Sequence, residues 1–425
     1  MIKSRRIIKN HNIKNHQESQ QGMKNHQEPQ QGRVLGGILL LTGCCIGAGM
    51  LGLPAVTVQG GFLPTLLLFV IVWGFMAATG LFFLEVNLWF TEETSMTSMA
   101  GRTLGKGGQS IGTALFALLF FSLMVAYVGG SGELFSEFFK ENLNVALPGW
   151  VGSFLLSFFF GIVLYFGTAV VDRINRVLMI GLIATYSLLV VMGGGHVDVS
   201  RLVQANWSSA IYAMPVMIVS FGYHNLIPSL STYLKHDVQK LRFIVLVGSA
   251  IPLIIYLLWE WVILGVIPIQ GEDGACQVLS RGDMVVCVLR QTAGSSWIVG
   301  LADYFSFFAI ATSFLGVALS FVDFLADGLS IKKNAKGKIF LCALCLSPPF
   351  FFAILNPNIF LDSLRYAGII AVVLFGILPP AMIWSGRYVK KLNRRPLVPG
   401  GKAAVIAVMM FSIFIVALEI YRRLA

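Results

Sequence analysis

Eleven apolar stretches, each close to the length of a bilayer-crossing helix, run through this chain and restrict its fold before any single residue is considered. They fall near 34–58, 63–90, 109–139, 149–167, 176–195, 207–232, 240–267, 295–327, 338–355, 360–385 and 402–421. A helix needs about 20 apolar residues to cross the hydrocarbon core. Within lipid, every backbone N–H and C=O must find its partner inside the chain, so segments of this kind are helices. With 56% hydrophobic and 12% charged residues and a mean hydropathy of +0.78, a water-soluble globule is excluded. The reading is an all-α membrane protein of eleven transmembrane helices in a lipid bilayer.

The net charge of +11 could suggest a nucleic-acid partner, but the placement of the basic residues argues otherwise. With the N-terminus in the cytoplasm, 24 Lys and Arg lie in the segments on that side. Six remain outside, and Arg365 alone lies within a span. A positive-inside distribution accounts for the basic character without nucleic acid. An odd number of spans then puts the C-terminus outside. Residues 1–33 contain KNHQESQQG followed by KNHQEPQQG, a tandem repeat without apolar periodicity that is expected to be a disordered cytoplasmic tail. His11, His16 and His26 are read there as solvated rather than metal-ligating. The tail lacks the apolar region of a signal peptide, so span one is expected to stay in the protein and to target it.

Span one is poorly made for anchoring alone. TGCCIGAGMLGLP, residues 42–54, puts Gly43, Gly47, Gly49, Gly52 and Pro54 at its middle. Each glycine costs a helix about 1 kcal/mol relative to alanine, and proline removes a backbone donor. Span six repeats the pattern with Met214-Pro215, then SFGYHN at 220–225, then Ile227-Pro228. Both spans are expected to be broken. They are five apart, so the second set of five would cross the membrane in the opposite sense to the first. Paired breaks at corresponding positions of inverted halves point to a transporter's binding site. The domains expected are residues 34–195 and 207–385 as inverted five-helix repeats, with 402–421 as an extra helix.

A break exposes backbone dipoles. In span one the carbonyls near Thr42 to Cys44 end a half-helix and attract a cation, while the amides of Gly47, Ala48 and Gly49 open the next and receive an anion. A zwitterion suits that pair of surfaces, so the break reads as an amino-acid site.

GCCIGAGMLGLP, FFLEV at Phe82 to Val86 and SFGYHNLIPSL at Ser220 to Leu230 resemble the bacterial aromatic amino-acid permeases, the tyrosine- and tryptophan-specific transport proteins. That family lies within the amino acid–polyamine–organocation group and is similar in fold to the bacterial leucine transporter. The likeness covers about residues 34–421. It implies a permease of the bacterial inner membrane that imports tyrosine or tryptophan by cation symport with alternating access. A broader neutral amino-acid exchanger and a non-transporting amino-acid sensor are the alternatives. By this resemblance the substrate carboxylate goes to Gly47, Ala48 and Gly49, and its amino group to carbonyls at Cys44, Cys45, Ser220, Phe221 and Gly222. The wider fold implies a sodium site from Gly43 and Ile46 with Thr312 and Ser313, whereas the family's usual coupling ion is the proton; both stay open. No other cofactor is expected, and oligomeric state is left open.

Further polar groups at depth are candidates for a relay, a gate or the pocket. Glu85, Glu260, Asp303, Asp323 and Arg365 are costly in lipid and need a cavity or a partner. Glu85, the deepest, is weighed for coupling, and His224 and Tyr127 for substrate contact. Phe305, Phe307 and Phe308 could meet an aromatic ring or simply pack. Cys276 and Cys287 share an outside loop and could be disulfide-bonded or free, and Cys342 and Cys345 read as packing. HExxH, GxSxG and P-loop motifs are absent, so no enzyme is expected. A channel would require a continuous selectivity ring, which paired broken helices do not build.

Overall fold

The structure is a computed structural model that describes residues 33–90, 94–268, 296–356, 359–392 and 396–424. Cys276, Cys287 and the repeated tail lie outside the described residues. Among the described residues, ten helices are long and apolar enough to cross a membrane, and a bent pair makes the eleventh span.

Span one is the bent pair, α1 (Val34–Cys45) and α2 (Gly49–Thr57), inclined to each other by 54°. Spans two to five are α3 (Phe62–Leu88), α5 (Lys106–Leu143), α6 (Gly149–Phe166) and α7 (Thr168–Gly194). Span six contains α8 (Met214–Ser220) and α9 (Ile227–Tyr233), with Phe221 to Tyr223 non-helical between them and one 3₁₀ turn at His224–Leu226. Spans seven to nine are α10 (Val238–Val266), α11 (Ser296–Gly328) and α12 (Ala335–Leu355). Span ten starts as α13 (Phe360–Ala371) and runs to Val389, and span eleven is α14 (Gly401–Leu424).

Three features differ from the sequence reading. Span five begins at Thr168, eight residues before the expected 176, because Gly167 at φ 91° turns the chain in one residue. Arg173 and Arg176 therefore stand on the helix instead of in a loop, and Arg176 pairs with Asp172 at 2.6 Å. A short amphipathic helix, α4 (Met96–Leu104), lies between spans two and three; Ser95 caps it and Met96, Met99, Ala100 and Thr103 are its buried face. Span ten has two π-helical stretches, Val372–Ile377 and Ser385–Val389. Periodicity near 3.6 cannot distinguish these from α-helix.

Burial sorts the bundle into centre and rim. Spans two, six, eight and ten are 61–67% buried along their apolar windows, against 22–33% for four, five, nine and eleven. The rim spans show Phe158, Ile180, Phe351 and Met410 to the surroundings, as lipid-facing helices do. In the centre, α1 lies on span seven, with the Thr42 hydroxyl donating to the Gly248 carbonyl at 3.0 Å. Gly52 of α2 faces Val216 of α8 and Leu364 of span ten. The two broken spans are thus side by side at the heart of the bundle.

The paired helix breaks

The span-one break comprises Ile46, Gly47 and Ala48. Glycine at 43, 47 and 49 weakens the helix, and Ile46 is extended, with φ −80° and ψ 115°. In a continuous helix the Ala48 N–H would donate to the Cys44 carbonyl. Here it donates to Ser313 Oγ on span eight, at 2.8 Å. Gly47 allows that approach: a side chain at this position would overlap Ser313 Oγ. Gly49 faces Ser220, whose hydroxyl donates back to Val216 O at 2.8 Å.

The two breaks are joined by a residue not singled out from the sequence. Tyr256 of span seven is fully buried, and its hydroxyl lies 2.6 Å from the Cys45 carbonyl and 2.8 Å from the Ser220 carbonyl. A phenol has one proton and can satisfy one of these acceptors fully at a time. Two helix-end carbonyls thus converge on one donor, the arrangement that attracts a cationic group. The Tyr256 ring packs edge-on to Phe221 at 5.2 Å, with Phe69 on the same cluster. Nothing in a tyrosine among Ile, Leu and Trp distinguishes it from core, which is why sequence reasoning passed over it.

Cys44, Cys45, Gly47, Ala48, Gly49, Ser220, Phe221 and Gly222 come together here. Cys44 Sγ is 3.8 Å from Gly222 O and 4.0 Å from Asn225 Oδ1, across the gap. Tyr127 of span three is buried and brings its hydroxyl to Ser313, so it joins the same cluster. Gly43 faces only the end of Met179. Of the hydroxyls considered for sodium, Ser313 reaches span one, while Thr312 donates within its own helix to Phe308 O at 2.8 Å. The carbonyls of Gly43 and Ile46 are not drawn to Thr312 by any contact seen among the described residues.

Two expected residues are placed away from the gap. His224 is wholly buried, stacked between Tyr223 at 4.8 Å and Phe375 of the span-ten π stretch at 4.4 Å. Its Nε2 pairs with Thr79 Oγ1 of span two at 2.9 Å. That contact tethers span six to span two, and the Thr79 hydroxyl is also 3.0 Å from Met76 O. Glu85, considered for ion coupling, is held instead by Arg387 through two hydrogen bonds of 2.7 and 2.6 Å and by the Leu397 N–H at 2.8 Å. A carboxyl group with three such donors is a structural clasp. Asp323 pairs with Lys333 at 2.8 Å and Arg365 with Asp362 at 3.2 Å. Phe305 packs on Tyr186 and Trp259, Phe307 on Phe135, and Phe308 on Gly181. Cys342 and Cys345 are buried free thiols, as packing residues would be.

The halves of the broken spans differ in exposure. In α2 every residue from Met50 to Thr57 is buried, and in α8 all but Val219. In α1 and at the start of the second half of span six, Leu39, Leu40, Cys44, Asn225 and Ser229 are exposed. Cys44 is thus an exposed residue at mid-span, set against Gly222 and Asn225 of span six. A mainly apolar hollow between spans four and nine, lined by Phe154, Phe158, Leu346 and Phe350 with Ser157, Ser347 and Tyr165, is on the rim and offers no charged group to an amino acid's charges.

The tryptophan/tyrosine permease family model matches residues 30–419. The chain is 31% identical over 392 residues to the tyrosine-specific transport system 1 of Haemophilus influenzae, covering 91% of this chain and 96% of that one. It is 29% identical to the tryptophan-specific transport protein of Pseudomonas aeruginosa, covering 89% and 92%. It is also 29% identical to glutamine transporter 2 of Aliivibrio fischeri, covering 91% and 99%. The match takes in both breaks and every span around them, and these relatives carry the names of transport proteins, not of enzymes: the chain belongs to the tryptophan/tyrosine permease family.

Proposed function

We propose that this protein imports an aromatic amino acid, tyrosine first and tryptophan next, across the bacterial inner membrane by cation symport with alternating access. One observation carries the reading: two broken spans meet at mid-bundle, where converging carbonyls and half-helix amides face one gap. The ammonium would be received by the carbonyls of Cys45 and Ser220 that Tyr256 now bridges. The carboxylate would go to the amides at Gly47, Ala48 and Gly49, displacing Ser313 from Ala48. The ring would extend toward Tyr127 and Phe221. The aromatic assignment leans on the tyrosine- and tryptophan-specific names among the relatives.

The mechanism treats spans one to five and six to ten as inverted repeats, with span eleven added. With the N-terminus inside, as the distribution of Lys and Arg favours, α2 and α8 are the outer halves of their spans. Their near-complete burial beside an exposed Cys44 then corresponds to an inward-facing state, closed to the outside. Rocking of spans one, two, six and seven against three, four, eight and nine would open the outer side in turn.

The deciding experiment is uptake of labelled tyrosine by vesicles containing the purified protein. Saturable uptake, exchange of internal for external substrate, and accumulation against an imposed proton or sodium gradient are expected. Uptake unaffected by either gradient would replace symport by facilitated exchange. The glutamine transporter among the relatives favours one second reading, a broader neutral amino-acid exchanger. Competition by unlabelled glutamine as effective as that by tryptophan would select it.

A labelling experiment tests the site directly. Cys44 is exposed whereas Cys45, Cys342 and Cys345 are buried. A membrane-impermeant thiol reagent given from the cytoplasmic side should modify Cys44, and saturating tyrosine should slow the reaction about tenfold, as occupancy of nine sites in ten requires. Labelling of Cys44 that tyrosine leaves unchanged would separate the substrate from this gap.

A further inference from the structure

Among the described residues, one buried charge-bearing group is used neither by the substrate site nor by an ion pair. Glu260 of span seven is wholly buried, and its carboxyl makes one hydrogen bond, 2.7 Å between Oε2 and Thr57 Oγ1 at the end of α2. Oε1 has no partner. We propose that Glu260 is the proton-binding site that couples transport to a proton gradient; this rests on the symport reading above and assigns its ion and its residue.

The hydrogen bonds fit the neutral acid. The Thr57 hydroxyl is also 3.0 Å from Leu53 O, one turn back. It has one proton and so can donate to only one of them. With the carboxyl protonated at Oε2, Glu260 donates to Thr57, Thr57 donates to Leu53, and every proton has an acceptor. With the carboxylate ionised, Thr57 must leave Leu53, and Oε1 stays bare and charged in an apolar interior. That form is costly unless water or a cation reaches it. The contrast with Glu85 is direct: there Arg387 pairs with the carboxyl, and here, among the described residues, no cation is paired with it.

Among the described residues no neighbouring element supplies a countercharge. Residues 49–57 of span one contain no titratable group. From span five and the segment after it come Tyr186, bonded to Ile255 O, His196, on Met192 O, Asp198, held by Ser200, and Arg201, on Val266 O. Span eight contributes Asp303 and the exposed Tyr304, and the approach to span six contributes Tyr212. None of these bonds either oxygen of Glu260.

Position supplies the coupling. Glu260 is one helical turn beyond Tyr256, whose hydroxyl spans both breaks, and the next residue inward, Trp259, donates to Met50 O of α2 at 3.1 Å. The acid therefore ties span seven to the half of span one that closes the outer side. When that side opens, water reaches the carboxylate and one proton binds Oε2. The neutral acid then bonds Thr57 and stabilises closure. For one proton to cross with each substrate, that proton must then leave Oε2 inward, past Tyr256 one turn nearer the gap, once the gap has emptied to the cytoplasm, restoring the carboxylate.

The test is Glu260→Gln in vesicles, since the amide reproduces the shape and donor of the neutral acid. Tyrosine exchange between labelled and unlabelled pools should persist, while accumulation driven by an imposed proton gradient should fall to the equilibrated level. Glu260→Asp, which keeps a carboxyl, should retain measurable accumulation. Accumulation undiminished in Glu260→Gln, or loss of exchange together with accumulation, would overturn the assignment. As a measurement free of variants' folding, infrared spectra of the wild-type protein should contain a protonated-carboxyl band that falls as pH rises, and a spectrum without it would count equally against the site. Absence of any tyrosine exchange by the wild-type protein would instead defeat the transport reading itself.

Discussion

Vesicles containing Gly47→Leu should take up tyrosine up to ~100-fold more slowly than wild type while the protein still reaches the membrane. At this position a Cβ already overlaps Ser313 Oγ and comes within 3.7 Å of the Ala309 carbonyl. The larger side chain must drive span eight away from span one or occupy the gap itself. Overpacking of this kind costs about 1–3 kcal/mol, and the upper end of that range corresponds to ~100-fold in an equilibrium. It would also take the Ala48 amide from Ser313 and screen it from a carboxylate. Gly43→Ala is the control: its added carbon meets only the flexible end of Met179 at 3.5 Å, an ordinary contact. The carbonyl at 43 is unchanged, so uptake should persist. Wild-type uptake by Gly47→Leu would refute the placement of substrate at this break.

The legible part of this molecule was what the bilayer dictates. Length and apolarity gave all eleven spans, since lipid admits few alternatives to a helix, and glycine with proline at mid-span marked both breaks. The residues at those breaks on spans one and six could be named with them, because which backbone groups a break frees depends on position alone. Side-chain partners were less legible. Glu85 and Glu260 look alike in sequence, two acids in apolar runs, and only the fold brings Arg387 to one and leaves the other with Thr57. His224 looked like a ligand contact, but Phe375 and Thr79, far away in sequence, hold its ring elsewhere. Tyr256 carries no local signal at all; its hydroxyl matters because two helix ends arrive beside it. The π-helical turns of span ten likewise arise from packing that a single helix's periodicity does not encode.

Removing one partner of the Glu85–Arg387 clasp should damage the fold more than any substitution at the substrate gap. Both side chains are nearly inaccessible, at 1% and 8% exposure, so whichever is left has no water to turn to. Truncating one member of a buried pair typically costs about 3–5 kcal/mol, because an unpaired charge remains. Glu85→Ala also strands the Leu397 N–H, which Oε2 accepts at 2.8 Å, and so loosens the segment that leads into span eleven. Arg387 additionally lies over the Phe82 ring, 5.9 Å from its centre, and contributes packing as well as charge. Glu85→Ala or Arg387→Ala should therefore lower the thermal unfolding midpoint and the yield of folded protein in detergent. Glu85→Ala combined with Arg387→Met should recover much of the loss, since no unpaired charge remains and the methionine refills part of the space. If Glu85 coupled ion to substrate, the double variant would fold but fail to accumulate tyrosine against a proton gradient. A clasp requires the opposite result, in which gradient-driven uptake returns with the fold.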